Sequence, residues 1–127
     1  MTSGIACYKS VDLMRDLQRA GARVRVDGLF LLGYPLHPEG QPEKAQPDQL
    51  FRIVSPLLFV QGTRDRHCDL DTLRRVLRSV GAPTALQVVD EADKSFKVLK
   101  KSRRTEEDVR EELLSTVDGW IQKVMES

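Results

Sequence analysis

The sequence predicts a small α/β fold, a mainly parallel sheet of three to four strands with helices on both faces. Three observations carry that prediction. Residues 29–32 and 56–60 read as buried apolar strands, and residues 84–89 as a third strand. The segments around them place apolar residues at helical spacing. Alternation of the two kinds of segment implies parallel strands joined by crossovers. The 127 residues fit one domain, 1–127.

Residues 6–20 read as a helix. Val11, Met14 and Leu17 recur at threes, Leu13 and Leu17 at four, and Gly21 closes the stripe. Residues 22–26 alternate like a strand and run into the apolar stretch 29–32. Asp27-Gly28 between them reads either as a hairpin turn or as a bulge within one strand over most of 23–33. Pro35, Pro38, Gly40, Pro42 and Pro47 mark a long loop over 34–49. Asp48 is expected to cap a short helix holding Leu50, Phe51 and Ile53. Residues 56–60 form the next strand.

Asp69 or Asp71 caps the following helix. Its stripe is Leu70, Leu73, Val76, Leu77 and Val80, and Gly81 ends it. Residues 84–89 are the third strand. Lys97, Lys100, Lys101, Arg103 and Arg104 then mark a solvated loop. Thr105 opens the last helix, whose first turn is acidic as its dipole favours. Val109, Leu113, Val117, Trp120, Ile121 and Val124 give that helix a core face.

Composition excludes several classes. Twenty basic and nineteen acidic residues leave a net charge of +1, so no global field draws the chain to nucleic acid or a membrane. No apolar run reaches the roughly 18 residues that span a bilayer, and no signal peptide is visible. A cytoplasmic location is expected, with Cys7 and Cys68 as reduced thiols.

Two groups of motifs carry family resemblances. Gly33-Tyr34-Pro35-Leu36-His37-Pro38-x-Gly40-x-Pro42-Glu43-Lys44 is followed by Leu58-Phe59-Val60-Gln61-Gly62-x-x-Asp65 and by Ala92-Asp93-x-Ser95-Phe96. Together they make residues 28–127 resemble the C-terminal half of a dienelactone-hydrolase-like α/β-hydrolase, of the testis-expressed and chromatin-complex branch. The second group opens with Thr2-Ser3-Gly4-Ile5-Ala6-Cys7-Tyr8-Lys9-Ser10 and continues with Leu13-x-x-x-Leu17-x-x-Ala20-Gly21-Ala22-x-Val24-x-Val26. It makes residues 3–26 resemble the start of the flavodoxin-like phosphopantothenoylcysteine decarboxylase flavoproteins, with the first strand missing. The resemblances favour one strand over most of 23–33 and place a joint at Val26-Asp27-Gly28.

The hydrolase resemblance implies that Asp65 stands at the acid of a catalytic triad and that Lys94 occupies the histidine position. No Gly-x-Ser-x-Gly elbow occurs anywhere in the sequence. Without serine or histidine partners these are vestigial positions, and no catalytic residue is assigned. The two resemblances together imply an engineered or selected chimera, non-catalytic, whose property is folding and assembly. The alternative is a phosphate- or flavin mononucleotide-binding module through residues 2–9, with Thr2, Ser3 and Gly4 as its weak candidates at a helix N-terminus. A residual esterase is the third reading.

His67, with Cys68 and Asp65 or Asp69, matches no zinc spacing, so no metal site is expected. Lys94 as a Schiff-base or nucleophilic lysine would need desolvation, which a charged loop does not supply. Tyr34 and Trp120 read as core or interface aromatics rather than ligand platforms. No cofactor and no small-molecule ligand are expected. A homodimer or domain-swapped oligomer is expected, because the first of the three strands would lack the serine-bearing neighbour and present an unpaired edge.

Overall fold

The computed structural model describes the backbone of residues 5–8 and residues 27–126 in full. Thr2, Ser3 and Gly4, the stripe Val11, Met14 and Leu17, and the strand segment 22–26 lie outside the described residues. Four strands are described: β1 (Ile5–Tyr8), β2 (Gly28–Leu32), β3 (Leu57–Gly62) and β4 (Thr84–Val89). They lie side by side in sequence order, and every neighbouring pair is parallel. Ile5 faces Gly28, Leu29 faces Leu57, and Leu57 faces Thr84.

β1 corrects two expectations. Ile5–Tyr8 form a strand, whereas the helical reading began at residue 6. Local spacing does not register the strong reason for a strand here. β2 is an apolar strand whose backbone groups need partners on both sides, and β1 supplies one side. β2 is therefore an interior strand, and the exposed edge invoked for oligomerisation does not exist at β2.

Side chains alternate across the sheet and split the core into two layers. Leu29, Leu31, Leu57 and Phe59 face one side. There they meet Tyr34, Leu36, Leu50, Cys68 and Leu73, the last on helix α1 (Leu70–Leu77). Leu58, Val60 and Val89 face the other side, against Val109, Leu113, Val117 and Trp120 of helix α2 (Glu106–Met125). Helices thus cover both faces, as the alternating pattern implies. Tyr34 packs edge-on against Phe59 with ring centroids 5.7 Å apart, and Phe30 against Trp120 at 6.5 Å. Both aromatics serve the core.

The caps resolve as follows. Asp69 caps α1, accepting from the Thr72 amide at 3.0 Å and the Thr72 hydroxyl at 2.7 Å. Thr105 and Asp108 form a reciprocal box at the start of α2, at 3.0 and 3.1 Å. Asp48 caps nothing. It lies inside the 3-10 segment Pro47–Arg52, which starts after Gln46 without a side-chain cap and carries Pro at its first turn. At the far end, Arg104 ion-pairs with Glu112, whose other oxygen accepts from Gln87 of β4 at 2.8 Å. The same Arg104 donates to the Asp90 carbonyl at 3.0 Å, so the basic loop is tied to α2 and the sheet.

Gly119 sits on the exposed side of α2, and a Cβ built there meets nothing within 4 Å. Gly119→Ala is expected to stabilise the fold by about 0.5–1 kcal/mol, because glycine in a helix interior carries the larger entropy cost. A rise in denaturation midpoint at unchanged slope checks it.

Candidate functional site

The loops that follow β2, β3 and β4 converge at the C-terminal ends of the strands, the side of a parallel sheet where ligands usually sit. Asp65 lies in a tight turn after β3, its amide bonded to the Gly62 carbonyl at 3.2 Å. The residue is 7% exposed. Oδ1 accepts from the His67 amide at 2.8 Å. Oδ2 is buried and has no partner among the described residues. Burial pushes the Asp65 carboxyl above its ordinary value, and it outweighs the His67 amide and the nearby Lys94 charge, which pull it down. A buried carboxylate with one oxygen unpartnered is costly, and a perturbed group of this kind in a cleft is a functional-site candidate.

The loop carrying Lys94 is fastened onto the Asp65 loop. The Arg64 amide donates to the Ala92 carbonyl at 2.9 Å, and the Glu91 amide to Thr63 Oγ1 at 2.9 Å. Asp93 closes the turn from within: its Oδ1 accepts from the Ser95 amide at 2.8 Å and the Lys97 amide at 3.0 Å. Glu91 and Phe96 take positive φ, 64° and 62°, at either end of this turn.

Two glycines let the turn lie flat on the sheet. A Cβ on Gly62 would fall 2.1 Å from the Ala92 carbonyl oxygen, and one on Gly33 would fall 2.7 Å from that of Lys94. Gly33 also has φ +66°, which only glycine adopts freely. The glycines therefore set where residue 94 stands.

Leu32, Gly33, Pro35, His67, Lys94, Ser95 and Phe96 line a cavity of about 380 Å³, and Asp65 is linked to that lining through the His67 amide and the Lys94 charge. A larger cavity, about 540 Å³, lies at the opposite ends of the strands around Asp27, Pro56, Pro83 and Trp120. It holds none of the loop chemistry, and the smaller cavity is the candidate site. The structure thus brings Asp65 and Lys94 to one place. It joins them by no hydrogen bond among the described residues, and Lys94 is exposed.

The other candidates serve the fold. His37 is buried, donates from Nδ1 to the Pro38 carbonyl at 2.7 Å and accepts at Nε2 from the Asp69 amide at 2.8 Å. Both ring nitrogens are used, so it is a neutral clamp between the long loop and the α1 cap. Cys68 is buried, and burial, with the Asp65 and Asp69 charges, pushes its thiol up to about 12. That is an inert thiol.

Sequence reasoning missed Gln61. It is fully buried on β3, donates to the Tyr34 carbonyl at 3.4 Å, and leaves its Oε1 unpartnered. A glutamine inside the apolar run 57–62 was the available signal.

Residues 13–122 match the family described as alpha/beta hydrolase domain, and the chain belongs to that family. Among solved structures, the chain is similar to a puromycin hydrolase mutant at 14% identity and TM-score 0.49. There it covers 87% of this chain and 20% of the other. It is also similar to Arabidopsis thaliana SOBER1 at 12% identity and TM-score 0.39, over 91% of this chain and 61% of the other. The chain thus spans less than two thirds of the length of either protein. The family match corrects the expectation of a non-catalytic engineered chimera. It spans residues 13–122, across the expected joint at Val26-Asp27-Gly28. Of residues 2–9 in the flavin alternative, Ile5–Tyr8 are strand paired with β2, and its candidates Thr2, Ser3 and Gly4 lie outside the described residues.

Proposed function

We propose that this chain carries the acid side of a hydrolase-type site, in which Asp65 is the orienting carboxylate and residue 94 is the position it orients. The buried, half-unpartnered Asp65 carboxylate, linked to the lining of the Lys94 cavity, carries this reading. Hydrolytic acyl transfer needs a nucleophile, a base and a group that holds the base in the right tautomer. An acceptor oxygen with no donor, next to an open position, is what such an orienting acid offers before its base is in place.

Lys94 fills that position with a cation. A protonated ammonium has no lone pair, so Lys94 balances Asp65 charge rather than taking a proton. The sequence also holds no Gly-x-Ser-x-Gly elbow. On this reading the nucleophile comes from polypeptide beyond these 127 residues, and the turnover belongs to the completed site.

The test is Lys94→His, followed by nitrogen-15 NMR titration of the new imidazole. Asp65 is expected to hold the imidazolium and raise its pKa above the ordinary value of about 6.5, with Asp65→Asn on the same background returning it there. An imidazole that titrates identically in both backgrounds sinks the proposal. With p-nitrophenyl acetate, Lys94→His alone is expected to stay at the background rate, because catalytic groups act as a unit. Turnover in that single variant would place a nucleophile within this chain.

A further inference from the structure

We infer that the cavity beside residue 94 is a binding site for a small carboxylate with an apolar body, held through Lys94. The inference rests on the same cavity as the hydrolase reading but not on Asp65 acting as an acid.

The walls and the rim differ in chemistry. Leu32, Pro35 and Phe96 supply apolar surface. The rim at residues 94 and 95 supplies donors. Among the described residues neither the Lys94 amide, the Lys94 ammonium nor the Ser95 hydroxyl has a hydrogen-bond partner. The neighbouring amides of Ser95, Phe96 and Lys97 are all used by Asp93, so the unused donors of this turn are concentrated at 94 and 95.

Asp65 does not compete from within the cavity. It is buried and does not line the cavity, and its Oδ1 is occupied by the His67 amide. Donors without acceptors select a ligand end that only accepts, and one cation selects an anionic one. A cavity of about 380 Å³ with three apolar walls then selects a compact apolar body behind it. Phosphate monoesters fit less well, because a second negative charge would face a single lysine.

Sodium benzoate tests the inference against benzamide, its neutral isostere, in a two-dimensional NMR titration of the whole chain. Benzoate is expected to saturate, with shifts confined to residues 32–35, 67 and 94–96, whereas benzamide leaves them in place. Lys94→Gln is expected to weaken benzoate at least tenfold. Asp65→Asn is expected to leave it equal or tighter, since a negative charge has gone. Equal binding to wild type and Lys94→Gln overturns the inference, as do shifts scattered over Lys97, Lys100 and Lys101. The two readings fail separately. Silent benzoate with a raised imidazole pKa in Lys94→His sinks only the carboxylate site. Benzoate binding with an imidazole indifferent to Asp65 sinks only the hydrolase reading.

Discussion

Gly62→Ala is expected to cost the fold on the order of 3 kcal/mol, the size of a severe overpacking or strain effect. The added Cβ would meet the Ala92 carbonyl oxygen at 2.1 Å, the Ala92 carbonyl carbon at 2.6 Å and the Asp93 carbonyl oxygen at 2.8 Å. All three are backbone atoms, so no rotamer change relieves the contact. β3 is fixed by β2 and β4 on its two sides, and the 91–97 turn must therefore lift. Lifting it strips the Arg64-to-Ala92 hydrogen bond and moves residue 94 away from Asp65. Thermal unfolding is expected to fall by roughly 10 °C. Gly81→Ala is the control, since a Cβ there meets nothing within 4 Å, and it is expected to be near neutral. Equal midpoints for the two variants would show that the turn does not rest on Gly62.

Asp65→Asn is expected to do the opposite and stabilise the protein at neutral pH, because burial disfavours the charged form of this carboxyl. Burial raises the Asp65 carboxyl in the folded state above its unfolded value of 3.8. The folded chain then binds that proton more tightly than the unfolded chain. The penalty for the charged form is complete above the folded pKa. It fades as pH falls through that value and is gone below 3.8. The neutral amide escapes it, and its oxygen still accepts from the His67 amide. The gap between variant and wild type should therefore close on acidification.

Wild-type stability alone does not isolate this behaviour, because other carboxylates run the other way. Thr72 holds Asp69 below its ordinary value, and Thr105 does the same for Asp108. At Asp93 burial pushes up, but the Lys97 and Ser95 amides win and the carboxyl is lowered. Their stabilisation is present above the unfolded value and is lost as pH falls through the folded ones. Only the difference between Asp65→Asn and wild type cancels them. A stabilising substitution at a site residue is the usual sign of stability given up for function.

Much of this architecture is legible in the chain itself. β4, the Thr105 box, the Asp69 cap and the two-sided burial of β2 and β3 follow from local patterns that their tertiary contacts reinforce. What stayed hidden depends on distant partners. Ile5–Tyr8 become strand because β2 lies beside them, and no periodicity within residues 5–8 announces that. Gly62 reads locally as a strand end. Its role comes from Ala92, which is remote in sequence and rests on it.

The site shows the same division. Asp65 and Lys94 could be placed from motif resemblance. The unpartnered Oδ2, the neutral clamp of His37 and the burial of Gln61 arise from packing that the linear chain does not display.

The central claim is that the fold holds Asp65 as a desolvated carboxylate with one oxygen left for a partner at residue 94. Carbon-13 NMR titration of the Asp65 carboxyl carbon tests it most directly. The account predicts a midpoint above 3.8, lowered when Lys94→His supplies an imidazolium donor. A midpoint at or below 3.8 in wild type, unmoved by that substitution, would contradict it.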